Sequence, residues 1–156
     1  MPRAAADGEK TVATNRKARH DYAILERFEA GIALTGDEVK SLRGGRASLA
    51  EAFARIRDGE MWLEGMHVPP YEAGNTRTHL PVRPRKLLLH RRQIAELQAA
   101  QDRQRLTLVP LRVYFTHGLA KVELALARGK RTHEKRQAIA KREHEREIAR
   151  ELGRRR

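Results

Sequence analysis

Residues 22–45 read YAILERFEAGIALTGDEVKSLRGG, and the change of period inside this stretch decides the fold class. From 22 to 34 the even positions are Tyr22, Ile24, Glu26, Phe28, Ala30, Ile32 and Leu34, apolar at all but one. A period of two predicts a strand with one buried face. Glu26 interrupts that face and predicts a strand bend or a barrel mouth, with the carboxylate paired to a neighbouring arginine. Glu29 points outward. The pattern breaks at Thr35, where Thr35, Gly36, Asp37 and Glu38 spell a capping box; Val39 and Leu42 then give a short helix one apolar side, and Gly44 and Gly45 stop it. Asp37 and Glu38 are thereby accounted for as first-turn helix acids rather than a catalytic pair.

Downstream, residues 50–57 and 61–68 flank Asp58 and Gly59, a pair that favours a tight hairpin, and Pro69 and Pro70 stop the second strand. Residues 71–84 hold no period and read as a long surface loop. Residues 83–90 lead out of it into a helix whose apolar side carries Ile94 and Leu97 and which runs to about Ala100, with 101–105 as a turn. Val109, Leu111, Val113 and Phe115 share one face of a following strand, in which Pro110 predicts an edge or a bulge. His117 and Gly118 connect it to a last strand with Ala120, Val122, Leu124 and Leu126 inside and Lys121 and Glu123 outside, so the two are antiparallel. Upstream, 15–22 is a basic lead-in, and 1–14 lacks the apolar segment of a secretory signal and reads as a disordered arm. Five strands in the order β-α-β-β-α-β-β predict a mainly β fold: a small oligonucleotide-binding-like antiparallel barrel, closed or partly open, with two or three short helices and a basic C-terminal tail. The expected divisions are the arm 1–14, an RNA-binding barrel 15–128 and the tail 129–156.

The chain of 156 residues carries a formal net charge of +13 with pI near 11.0, far more positive than solubility requires, which favours a polyanionic partner. It has no cysteine, so disulfides, thiolate metal sites and cysteine nucleophiles are excluded, in keeping with a reducing cytoplasm. No apolar run reaches the length of a membrane span. The seven histidines show no metal-ligand spacing, and neither Ser41 nor Ser48 sits in a nucleophile context, so no metal, no cofactor and no enzymatic activity are expected. Basic residues cluster at 15–20, at Lys40, Arg43 and Arg46, at 83–90, and at Lys121 with 128–131; convergence on one side of the barrel would make a binding surface. Three Phe, three Tyr and one Trp are too few for a broad base-stacking platform, which favours folded RNA read by shape and phosphate.

The tail, residues 129–156, holds eleven Lys/Arg and five Glu. As a helix it would align Arg142, Arg146, Arg150 and Arg154 in one ridge, with Glu143, Glu147 and Glu151 three residues before successive arginines. Ile139, Ile148 and Leu152 are too few for a buried stripe, so the helix is expected to form mainly against an anionic surface.

The runs NRKARHDY (15–22), FEAGIAL (28–34) with the Thr35-Gly36 pair and EVKSLR (38–43), RKLLLH (85–90), LTLVPL (106–111) and GKRTHEKR (129–136) resemble the SsrA-binding protein family, small protein B, along the whole body of the chain. The resemblance implies a non-enzymatic, monomeric cytoplasmic adaptor. Its barrel would hold the tRNA-like domain of transfer-messenger RNA and deliver it to stalled ribosomes for trans-translation. By position, Glu29, Leu88, His90 and Lys121 are similar to the family's RNA contacts, with Asn15, Arg16, Lys17, Arg19, His20 and Lys86 nearby. Gly129, Lys130, Arg131, His133, Glu134, Lys135 and Arg136 are similar to its decoding-centre segment, and Arg142, Arg146 and Arg150 would follow the phosphates of the empty mRNA channel. Alanyl-tRNA synthetase and elongation factor Tu would be met only through the RNA. The competing expectation is a structural ribosomal protein or general RNA-binding module on the same barrel.

Either reading entails steep salt dependence: with roughly six to ten phosphate contacts, RNA affinity should fall about a thousandfold or more between 50 and 200 mM salt, as a filter-binding titration would show.

Overall fold

A computed structural model describes residues 9–70, 80–130 and 132–154. In chain order the elements are β1 (Lys10–Thr14), α1 (Arg16–Asp21), β2 (Tyr22–Ile32), α2 (Gly36–Arg43), β3 (Phe53–Arg57), β4 (Glu60–Glu64), β5 (Arg85–Leu88), α3 (Arg91–Arg103), β6 (Thr107–Thr116), β7 (Leu119–Gly129) and α4 (Thr132–Arg154). Strands β6, β3, β4, β5, β2 and β7 pair in that order and β7 returns to β6, closing a ring, while β1 adds to β6 from outside. Every pairing is antiparallel. Closure pairs the backbone that an open sheet would leave at its edges.

The barrel is the expected class, but the strand count was short. β5 was missed because its inward positions are Arg85 and Leu87, an alternation that a charged residue conceals. β1 overturns the disordered reading for residues 10–14: the strand pairs from Lys10 opposite Phe115 to Thr14 opposite Arg112, and Val12 and Ala13 pack against the core. The barrel body therefore begins by Lys10. Its other end also shifts, because Gly129 pairs with Tyr22 and the Lys130 N–H donates to the Asp21 carbonyl at 2.9 Å, so a boundary at 128 cuts into β7. Residues 16–21 form a helix within the basic lead-in. The strand expected over 61–68 ends at Glu64: Gly65 has φ +79°, and a Cβ there would sit 2.2 Å from the Glu51 carbonyl oxygen. Helix α3 continues to Arg103, so most of the turn expected at 101–105 is helical.

Two register shifts organise the interior. In β2 the pairing with β7 slips between Ile24 and Glu26, and in β6 it slips between Pro110 and Arg112. One extra residue in a strand turns the side chains beyond it to the other face. Neither strand therefore keeps the single buried face that its spacing suggested. Phe28, Ala30, Ile32, Val113 and Phe115 face the main core, whereas Tyr22, Ile24, Val109 and Leu111 join a second cluster with Ala18, Ala125 and Ala127 under α1. The bend expected at Glu26 and the bulge expected at Pro110 are both present. The Asp58-Gly59 turn also matches expectation: both residues have positive φ, 52° and 74°, as a two-residue hairpin of this twist requires.

Helix α2 is tied to the barrel by a buried ion pair. Thr35 accepts from the Glu38 N–H at 3.3 Å, and Glu38 Oε1 accepts from the Thr35 N–H at 2.9 Å, completing the capping box. The same carboxylate, fully buried, accepts from Arg83 and from Arg85 Nε. Arg85 is fully buried as well and spends its remaining N–H groups on the carbonyls of Met66 at 2.8 Å and of Arg83 and Pro81 at 3.2 Å each. Burial raises the Glu38 carboxyl, but hydrogen bonds from Arg83, the Thr35 backbone and Arg85 outweigh it and hold the group below the usual carboxylate range. Its contribution to stability is thus present above the unfolded value of about 4.3 and lost as pH falls through the lower folded value.

Glu38→Gln should destabilise the fold by about 3–5 kcal/mol at pH 7 by leaving Arg85 buried and unpaired, while the double change Glu38→Gln with Arg85→Met should recover much of that loss. Urea unfolding followed by circular dichroism measures both, and the deficit of Glu38→Gln relative to wild type should shrink toward pH 3.

Candidate nucleic-acid interface

Strand alternation and one close approach bring four of the expected contact residues together. Glu29 stands on the outer face of β2, opposite Glu123, and Lys121 on β7 lies opposite Gly31. Gly31 pairs in turn with Leu88 of β5, and a Cβ at 31 would lie 3.2 Å from Leu88 Cβ, so its absence lets these strands approach closely. With Leu87 turned into the core, Leu88 projects outward and is 53% exposed. His90 is the N-cap of α3 but makes no side-chain capping bond, so its imidazole is not used for capping. Glu29, Gly31, Leu88, Leu89, His90, Gln93 and Lys121 line one open groove of about 480 Å³. It offers a cation, an imidazole, an apolar prominence and an acceptor-only carboxylate.

Of the remaining expected contacts, Lys86 borders the groove and those of α1 lie elsewhere. Lys86, opposite Trp62 and paired with Glu60 at 3.5 Å, shares the outward face of β5 with Leu88 and lines an adjoining cleft that meets the groove at Leu88 and Leu89. Helix α1 lies at the other end of β2. Tyr22 is opposite Gly129 while Gly31 is opposite Lys121, nine residues along the strand, or roughly 30 Å. Arg16 and Lys17 are exposed there. His20 is half-buried with Nδ1 2.8 Å from Asp21 Oδ1, and the Arg19 carbonyl accepts from Lys130 Nζ at 3.4 Å. The basic segments thus do not converge. One basic area surrounds the groove, and a second joins α1 to the root of the tail. Beyond the end of β2, Lys10 Nζ donates to the Arg43 carbonyl and the Arg43 guanidinium lies 6.0 Å from the Phe115 ring centre.

Asn15, grouped with the expected RNA-binding residues, is buried at 4% exposure: Nδ2 donates to the Pro110 carbonyl at 2.9 Å and Oδ1 accepts from the Ala18 N–H at 3.1 Å. It caps α1 and fastens that helix to the β6 bulge.

Between the two basic areas the outer face carries a polar network that spacing alone did not reveal. Arg112 donates through Nε to Glu123 at 2.9 Å and through a terminal nitrogen to Glu9 at 3.2 Å, and its guanidinium lies 3.9 Å from the Tyr114 ring centre. Burial lowers the Arg112 pKa, but hydrogen bonds and charge from Glu123 and Glu9 more than offset this and hold it above its ordinary value. The Tyr114 hydroxyl donates to Glu29. Counting register back from the His117-Gly118 turn places Arg112 opposite Glu123 and Tyr114 opposite Lys121, a signal available once the hairpin is recognised.

Helix α4 continues from this body as an unbroken 23-residue helix, and every side chain described in it is exposed, Ile139, Ile148 and Leu152 included. Its isoleucines and leucine make no buried stripe. Arg131 lies outside the described residues, and His133, Glu134 and Lys135 are described only in backbone. Among the described residues no group of three His, Cys, Asp or Glu could hold a metal ion, and no described helix is long and apolar enough to cross a membrane.

The family model described as SmpB protein matches residues 12–154. The chain belongs to the SmpB protein family. Among SmpB relatives, the SsrA-binding protein of Mycobacteroides abscessus is 59% identical over 155 residues, covering 99% of this chain and 98% of that one. Those of Acidothermus cellulolyticus and Desulforudis audaxviator are each 61% identical, over 95% and 94% of this chain and 93% and 95% of theirs. A solved structure described as "tmRNA-SmpB: a journey to the center of the bacterial ribosome" superposes with a TM-score of 0.65 at 50% identity, over 81% of this chain and 92% of that one. The SmpB body is thus shared, and the groove and, apart from Glu9, the polar network lie within residues 12–154.

Asn15→Ala should cost about 1–3 kcal/mol of stability through the lost cap and the unpaired Pro110 carbonyl. RNA affinity measured well below the melting temperature should change less than twofold, the opposite of what an RNA-facing asparagine would give.

Proposed function

We propose that this SmpB-family chain is a non-enzymatic, cytoplasmic RNA-binding adaptor that holds the tRNA-like domain of transfer-messenger RNA and delivers it to stalled ribosomes for trans-translation. The observation that carries this reading is the groove, where Glu29, Leu88, His90 and Lys121, far apart in sequence, meet on one outer face. The names of the relatives and of the matching structure support it, since these are SsrA-binding proteins and a tmRNA-SmpB assembly. An exposed leucine beside a lysine and an imidazole suits an unstacked base and its phosphate, as in recognition of a folded RNA loop.

The tail has a separate role in this proposal. Helix α4 packs no described side chain and spans 23 residues, about 34 Å, enough to thread a channel. The segment from Gly129 to Arg136 would meet the decoding centre, and Arg142, Arg146 and Arg150 would run along the phosphates of an mRNA channel left empty. The α1 cations, beside the root of the tail, would contact RNA near this junction.

Affinity capture of the full chain from bacterial lysate, followed by RNA sequencing, should enrich transfer-messenger RNA above ribosomal RNA. Constitutive recovery of one ribosomal subunit without that RNA would support the general ribosomal module instead. Truncation after Lys130, which keeps β7 and the Lys130–Asp21 hydrogen bond, should leave affinity for the tRNA-like domain within about threefold and abolish peptide tagging on stalled ribosomes.

A further inference from the structure

Glu29 is an unusual residue to find in a groove otherwise suited to RNA. A carboxylate repels phosphate and can only accept hydrogen bonds, so it helps binding only by meeting a donor: a ribose 2′-hydroxyl, or the amino or imino N–H of a base. That use demands direction. A glutamate on a strand surface samples several rotamers, and fixing one at the moment of binding costs side-chain entropy.

The fold supplies the direction from β6. Tyr114 is buried at 2% exposure, and its hydroxyl donates to Glu29 Oε2; of the described residues, Tyr114 alone hydrogen-bonds this carboxylate. The tyrosine is itself held. Its ring stacks against the Arg112 guanidinium, which Glu123 and Glu9 grip from two sides. Arg27, Phe28, Glu29, Tyr114 and Glu123 line a small open pocket of about 90 Å³. Burial, the Glu29 hydrogen bond and nearby carboxylate charge push the phenol above its ordinary range, so it remains a donor throughout neutral pH.

We propose that Tyr114 is a positioning residue for RNA recognition: seated by the Arg112 stack, its hydroxyl occupies one oxygen of Glu29 and aims the carboxylate's other acceptor sites at a hydrogen-bond donor of the RNA in the groove. Tyr114 does not itself meet the RNA. This inference rests on the reading of the groove as the site of the tRNA-like domain, and the experiment separates the two.

Binding of the full chain to the transcribed tRNA-like domain of transfer-messenger RNA is measured for wild type, Tyr114→Phe, Glu29→Ala and the double variant, with melting temperatures alongside. Phenylalanine keeps the ring, its burial and the Arg112 stack. Tyr114→Phe should weaken binding about tenfold and Glu29→Ala by at least as much, while the double variant should bind no more weakly than Glu29→Ala alone. An equal loss from Tyr114→Phe on both backgrounds would mean that the tyrosine acts on the fold and not through Glu29, which overturns the proposal. Unchanged binding by Tyr114→Phe with a weakened Glu29→Ala also overturns it and leaves the groove reading standing. Unchanged binding by Glu29→Ala would remove the groove reading itself.

Discussion

A carboxylate and a guanidinium, both withdrawn from water, meet between α2 and β5, and the geometry of the groove depends on that meeting. β5 is only four residues long, yet it joins β4 to β2 and completes the ring. So short a strand has few ladder bonds to hold its register. Arg85 supplies the rest, bonding to the Glu38 carboxylate and to three backbone carbonyls. A buried ion pair is a poor source of net stability, because desolvation cancels most of the Coulomb gain, but it strongly disfavours any arrangement that separates the partners. Here the disfavoured arrangements are slips of β5, which would move Leu88 and His90 away from Glu29 and Lys121.

The two bulges do comparable work on the opposite wall. By reversing the faces of β2 and β6 partway along, they give the barrel two apolar clusters, one inside and one outside under α1. The outer cluster lets α1 pack at one end of β2 while the other end stays open as the groove. Asn15 joins the two devices, capping α1 with one side-chain atom and binding the β6 bulge with another. Its burial gives this asparagine of the basic run a structural part in seating α1.

Charge on the outer face is correspondingly divided. In the proposed complex, cations near α1 and the tail root would provide long-range attraction to phosphate, which positions an RNA without reading it. The groove adds directional groups, and the Arg112–Tyr114 stack with its flanking carboxylates stiffens the surface between. Helix α4 takes no part in the groove or the polar network. It comes near the body at α1 and its described side chains lie in solvent, which suits a segment whose partner lies elsewhere.

Much of this was legible in the chain. Period-two patterning marked β2, β6 and β7, the Thr35–Glu38 box and the paired glycines bounded α2, and Asp58-Gly59 marked its hairpin, because each of these signals acts between residues a few positions apart. The motif runs pointed to the SmpB relatives for the same reason, being local strings. What sequence could not determine is which distant residues meet. Arg85 reads as a surface cation until it is seen buried against Glu38, 47 positions away. Asn15 reads as part of an RNA-binding run until Pro110, 95 positions on, takes its amide. A bulge flips a face by a single residue, which spacing cannot date to one position, so Tyr114 and Glu29 came together only in three dimensions. Burial and orientation are properties of long-range packing, and only the tertiary structure decided them.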